Sequence, residues 1–140
     1  NLKLILIEKR VGCKKLIKEN ACRLSVDVKE ILEINYMELI DKPFLFNQYE
    51  IPDRVILGGG EKENRLLFVK FLLEKMSSGG IIVIPIINIE ALSEFNTLIE
   101  SFNCKLRISQ HHSSRGLVIS KGIRLSPLNP IFIIKIIITE

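Results

Sequence analysis

Short, continuous apolar runs alternate along this chain with segments whose apolar residues recur at helical spacing. The first run, Leu2–Ile7, is interrupted only by Lys3 and closes in the charged cluster Glu8-Lys9-Arg10. Val11–Leu24 then places Leu16, Ile17, Ala21 and Leu24 on one helical face. A second short strand is expected at Glu30–Ile34, followed by a polar, proline-containing stretch at Asp41–Pro52. Arg54–Leu57 predicts a third strand, which runs into Gly58-Gly59-Gly60. Glu63–Met76 reads as a helix with Leu66, Leu67, Val69, Phe71, Leu72 and Leu73 apolar. Ser77-Ser78-Gly79-Gly80 ends it, because glycine takes up the left-handed conformation that commonly closes a helix. Ile81–Ile87 predicts a buried strand and Ile89–Phe102 the next helix, with Lys105–Gln110 and Ile131–Ile138 as the last strands.

Strands alternating with helices of ~12–15 residues predict a parallel α/β sheet covered by helices on both faces, a three-layer arrangement. The end of the pattern differs. Ser113–Pro130, between the last two strands, has no helical periodicity and reads as a long loop. Without a crossover helix, two consecutive strands pair antiparallel. The expected fold is therefore a mostly parallel sheet with an antiparallel C-terminal strand, Ile131–Ile138. There are no internal repeats.

Length and composition narrow this picture. The chain has 140 residues, enough for one domain with a real core, and 47% of them are hydrophobic, which excludes a disordered tail. The longest apolar stretches fall far short of the ~20 residues a membrane span needs, and Lys135 interrupts the second. No secretory signal is visible, and residue 1 is Asn. The whole chain, residues 1–140, is thus read as a single, N-terminally trimmed domain. Cys13 and Cys22 share one expected helix nine residues apart, ~13 Å along its axis, too far for a disulfide. Together with Cys104 they read as free thiols of a reducing cytoplasm. The net charge of +4 permits an anionic small-molecule substrate. Aromatics make up only 6% of the residues, and no stripe of Lys and Arg accompanies them, which speaks against nucleic acid as a partner.

Candidate chemistry gathers where strands end. Glu8 lies just past the first strand, where an acidic residue in dinucleotide-like folds accepts hydrogen bonds from both ribose hydroxyls of a cofactor. The glycine-rich turn that normally stands ~20 residues before that acid is not in this chain, since only seven residues precede Glu8. Gly58, Gly59 and Gly60 follow a later strand and cannot replace it. They sit instead at the carboxyl end of an expected central strand, where open α/β sheets bind ligands and where glycine allows the backbone to approach closely. His111-His112 lacks metal-ligand spacing with any other group, so no metal is expected. No Ser-His-Asp arrangement and no P-loop stand out.

Several strings together resemble one family. Pro52-Asp53-Arg54-Val55-Ile56-Leu57-Gly58-Gly59-Gly60 is similar to its fourth-strand motif, and Leu125-Ser126-Pro127-Leu128-Asn129-Pro130-Ile131-Phe132-Ile133 to its ending. Ser113-Ser114-Arg115-Gly116 resembles its step after strand six. Glu8-Lys9-Arg10 with Leu16-Ile17 and Glu19-Asn20 resembles its strand-two and helix segment. The family is that of the decarboxylating precorrin-6B carbon-15 methyltransferases of cobalamin synthesis, within the Rossmann-like class I methyltransferases that use S-adenosylmethionine. The resemblance covers essentially all 140 residues. It implies methyl transfer to carbon 15 of a tetrapyrrole with loss of the ring C acetate as carbon dioxide. It further implies Asn35 near the cofactor's adenine, Arg115 on a carboxylate of the tetrapyrrole, and a homo-oligomer, a tetramer in the family.

The chain departs from the family's pattern at two positions. Pro85 stands where the family often has Asn, and Asn35 where it often has Asp. The fold is expected to lack its first strand and helix, and the 140-residue chain by itself is expected to be inactive. The competing expectations are another class I methyltransferase, acting on RNA for example, and an inactive domain with a structural role.

Overall fold

The computed structural model describes residues 2–42, 44 and 47–140, which form two compact units, Asn1–Glu50 and Ile51–Glu140. The first unit carries β1 (Ile5–Ile7), α1 (Cys13–Arg23), β2 (Glu30–Leu32) and the single-turn α2 (Glu38–Asp41). β1 and β2 pair in parallel with Ile7 opposite Leu32, and the Glu8 N–H extends the ladder to the Leu32 carbonyl at 3.0 Å. Within the polar stretch Asp41–Pro52, residues 43, 45 and 46 lie outside the described residues.

The helical face expected over Val11–Leu24 is only partly covered. Ile17 and Ala21 are half-buried, whereas Leu16 is 57% and Leu24 73% exposed. Gly12 opens α1 in the left-handed region at φ 84° and gives it no side-chain cap. The Glu33 carboxylate, arriving from beyond β2, accepts the Lys14 N–H at 2.9 Å and so brings negative charge to the helix N-terminus.

The second unit holds β3 (Arg54–Ile56), α3 (Lys62–Lys75), β4 (Ile81–Ile86), α4 (Ile89–Glu100), β5 (Cys104–His111), β6 (Ser114–Ile119), β7 (Gly122–Pro127) and β8 (Ile131–Ile138). Its main sheet has the order β3-β4-β8-β5. β3 and β4 are parallel, and β8 runs antiparallel to both β4 and β5, as the missing crossover helix requires. Alternate residues of the two central strands, Ile82, Ile84 and Ile86 on β4 and Ile134, Ile136 and Ile138 on β8, are buried. They form the core with Phe68, Val69, Leu72 and Leu73 of α3 and Ala91, Phe95 and Ile99 of α4. Asn88 caps α4, its Oδ1 accepting the Ala91 N–H at 2.9 Å, which satisfies one of the otherwise orphaned first-turn amides.

The turn from α3 into β4 needs glycine twice. Gly79 sits at φ 84°, and a Cβ on Gly80 would lie 2.9 Å from the Ser77 carbonyl oxygen.

The expected loop Ser113–Pro130 is instead a hairpin. β6 and β7 pair antiparallel across the two-residue turn Ser120-Lys121, with Ile119 opposite Gly122, and form a separate two-stranded sheet. The physical reason is local: Leu117-Val118-Ile119 and Ile123-Arg124-Leu125 are short β-prone runs around a turn that Gly122, at φ 145°, permits.

Candidate functional site

Glu8 and Asn35 both follow carboxyl ends of the parallel pair β1–β2, Glu8 directly and Asn35 three residues past Leu32. Glu8 is half-buried and held by its neighbour Arg10. Oε1 accepts the Arg10 main-chain N–H at 3.0 Å and its Nε at 3.0 Å, and Oε2 accepts Nη2 at 2.8 Å. These charge-assisted bonds, from the guanidinium first and the main-chain amide second, hold the carboxyl down to about 2. Glu8 is therefore an acceptor only, with no proton to give, across the physiological range.

Asn35 has a structural task. Its Oδ1 accepts the Met37 N–H at 3.1 Å while the Glu38 carboxylate accepts the Asn35 N–H at 3.2 Å. This reciprocal pair, akin to a capping box, opens α2. What Asn35 has left for a ligand is its side-chain NH2, a donor, and one lone pair of Oδ1.

In the second unit, Gly58–Gly60 follow β3, whose ladder to β4 continues through the Leu57 N–H to the Val83 carbonyl at 2.9 Å. Gly59 and Gly60 have φ of 75° and 91°, and nothing lies within 4 Å of a Cβ built on Gly58 or Gly59. Open space therefore borders the turn. α3 begins two residues after the triplet, and its first turn carries Lys62 and Arg65. Lys62 pairs with Glu94 of α4 at 2.8 Å, and Arg65 Nη1 donates to the Pro85 carbonyl at 3.3 Å. Pro85 thus contributes its main-chain oxygen, where a side-chain amide was expected to be missed.

Arg115 lies on β6 opposite Ser126, exposed. Its side chain makes no hydrogen bond or ion pair among the described residues. The structure thus brings Glu8 and Asn35 to one end of one sheet, sets Gly58–Gly60 at the strand ends of the other, and carries Arg115 on the hairpin. Sequence reading missed Arg10 as the partner of Glu8, Glu33 as the cap of α1, and the Lys62–Glu94 pair. Arg10 was visible two residues from Glu8; the pair joining residues 62 and 94 left no local signal. Among the described residues no group of three or more His, Cys, Asp or Glu side chains could hold a metal ion.

The chain is 33% identical, over 133 residues and 94% of its length, to the probable cobalt-precorrin-6B C(15)-methyltransferase (decarboxylating) of Pyrobaculum aerophilum. It spans 64% of that protein. Nearly the whole chain is thus similar to one decarboxylating precorrin methyltransferase. Its fold agrees. The precorrin 8W decarboxylase structure from Methanobacterium thermoautotrophicum superposes with a TM-score of 0.74 at 17% identity, over 95% of this chain and 68% of the other. The precorrin-6y C5,15-methyltransferase from Geobacter metallireducens gives 0.70 at 17% identity, over 96% and 68%. The α/β sheet with β8 antiparallel between its neighbours is thus the class I methyltransferase architecture expected from the sequence. No protein-family profile matches the chain.

Proposed function

We propose that this chain carries most of one methyltransferase domain that uses S-adenosylmethionine to methylate carbon 15 of a precorrin tetrapyrrole, with decarboxylation of the ring C acetate, in cobalamin synthesis. The observation that carries this reading is the identity of 33% spread over 94% of the chain. Bound S-adenosylmethionine would supply an electrophilic methyl group, and the macrocycle's conjugated system serves as nucleophile and electron sink. What remains for the protein is binding, orientation and electrostatics.

The site residues suit that division. A permanently ionised Glu8 suits two ribose hydroxyls, because hydroxyls donate to a carboxylate. The Asn35 NH2 suits a ring nitrogen of adenine. Gly58–Gly60 leave room for a ligand at the β3 rim, and Arg115 offers a fork for one carboxylate of a polycarboxylic substrate. Replacing Arg115 with Ala should raise the Michaelis constant for the tetrapyrrole and leave cofactor affinity alone.

No helix among the described residues is long and apolar enough to cross a membrane. The free Cys13, Cys22 and Cys104 support the reducing cytoplasm as its place of work. Self-association fits the hairpin. Val118, Ile123 and Leu125 share one of its faces with Gly116 and are 87%, 72% and 69% exposed, without a charge among them. A two-stranded ribbon is marginal alone, so a second copy covering that face would stabilise it.

The deciding experiment incubates the full-length protein with methyl-labelled S-adenosylmethionine and cobalt-precorrin-6B. Label on the tetrapyrrole together with released carbon dioxide is the expected result. Label on RNA and none on the tetrapyrrole would replace this reading with that of an RNA methyltransferase.

A further inference from the structure

Counting acceptors at Glu8 leads to its neighbour Arg10, to which the sequence reading gave no role of its own. A carboxylate offers about four lone-pair sites, two on each oxygen. Oε1 already takes two donors, the main-chain N–H and Nε of Arg10, and Oε2 takes Nη2. A vicinal diol needs a free site on each oxygen, and Oε1 has none. We infer that Arg10 is a specificity-determining residue of the proposed cofactor site, competing with the ribose diol for Glu8 and leaving it when the diol binds. This rests on the reading of Glu8 as the ribose acceptor.

The geometry makes the exchange cheap. The Arg10 side chain is 73% exposed, so it can withdraw into water without losing a packed environment. Exposed ion pairs contribute little net stability. Arg10 lies between β1 and α1, outside both, so no regular element fixes its side chain. The Glu8 backbone, by contrast, is tied to the Leu32 carbonyl at 3.0 Å and stays in place. The main-chain N–H of Arg10 also stays on Oε1, so after the side chain leaves, one site on Oε1 and two on Oε2 are open to the diol. The guanidinium therefore acts as a removable occupant: it fixes the carboxylate's rotamer in the free protein and yields only to a ligand that presents both hydroxyls.

The test is titration calorimetry on the full-length protein, with adenosine and 2′-deoxyadenosine as probes beside S-adenosylhomocysteine. Arg10→Ala should bind S-adenosylhomocysteine and adenosine about two- to fivefold more tightly than the parent, the range an exposed ion pair spans. Arg10→Lys, which keeps the charge without the fork, should fall between them. With 2′-deoxyadenosine, which offers no diol, the difference between parent and Arg10→Ala should vanish. Unchanged or weaker adenosine binding by Arg10→Ala overturns the inference. Glu8→Ala separates the two levels: if it weakens binding while Arg10→Ala changes nothing, only the competition is wrong, whereas unchanged binding by Glu8→Ala sinks the ribose reading and the inference with it. A readout without ligand is the titration of the Glu8 carboxyl followed by NMR. It should lie near 2 in the parent and return toward 4.5 in Arg10→Ala; an ordinary titration in the parent means that the fork does not form, and the inference fails.

Discussion

The second unit is built around alternate isoleucines of two strands packed in one core with two helices, while the first is held by short ladders and polar contacts near its surface. In Ile51–Glu140, β4 and β8 each bury three alternate isoleucines, and Phe95 of α4 is fully buried among the core side chains. In Asn1–Glu50, the buried apolar residues among those described are Ile31 and Leu39, and α1 buries none. The acids whose ionised form is favoured there, Glu8, Glu38 and Glu50, are each held by a neighbouring cation, Arg10, Lys42 and Lys3. The two regions thus rest on different forces: area removed from water in one, charge and hydrogen bonding in the other. Glu8 and Asn35, proposed above as cofactor residues, belong to the second kind, which suits groups that would exchange partners with a ligand.

This contrast can be broken at several points. Phe95→Ala should have the largest effect, a loss of about 3–5 kcal/mol in chemical denaturation, because a cavity remains where the ring was. A loss below about 1 kcal/mol would mean that the core is not the close-packed body described. Asn88→Ala should cost about 1 kcal/mol by removing the cap of α4, and Asn88→Gly should recover part of it. Leu16→Ala, on the half-covered face of α1, should change stability by no more than about 0.5 kcal/mol. A larger loss would show that this face is covered in solution.

The smallest effect is electrostatic and separates the units by pH. Glu8, Glu38 and Glu50 have folded pKa values below the ordinary carboxylate value of 4.5, so their contribution is complete above that value and is lost as pH falls through the lowered ones, for Glu8 about 2. Amide chemical shifts around residues 8, 38 and 50 should therefore hold from pH 6 to below 4.5 and move only as pH falls further, around Glu8 near 2, at low salt more than at high. The β4–β8 ladder should keep its hydrogen-exchange protection over that range. Simultaneous loss of both would erase the distinction.

Much of this was legible along the chain. Ile81–Ile87 and Ile131–Ile138 read as strands because continuous β-branched runs of that length fit little else, and the structure buries their alternate residues and leaves the other face half-exposed. The antiparallel sense of β8 followed from the absence of a helix in the connection before it. The hairpin inside that connection escaped, although Leu117–Ile119 and Ile123–Leu125 flank a turn. Its strands pair with each other and not with the main sheet, so the alternation of core and surface that reveals a strand is absent. At the site, the position of Glu8 was readable because a strand end fixes it. Its occupation by Arg10 was not, because that depends on which rotamer a flexible side chain selects. The task of Asn35 at the start of α2 was hidden for a related reason: the Glu three residues on, Glu38, matches the capping pattern, but α2 is a single turn without apolar periodicity.

The place of β8 has a consequence for how the molecule is made. Its eight residues fill the gap between β4 and β5, strands synthesised well before it. During translation both have an open edge, that of β4 lined with isoleucine, until residues 131–138 leave the ribosome. Such edges are templates for pairing with other chains. The nascent protein therefore passes through a window in which it is exposed to aggregation, and the window closes when β8 slots in between its neighbours. A synonymous-codon slowdown placed just ahead of Ile131 would lengthen that window and lower the yield of folded protein, whereas the same slowdown ahead of Ile5 would not.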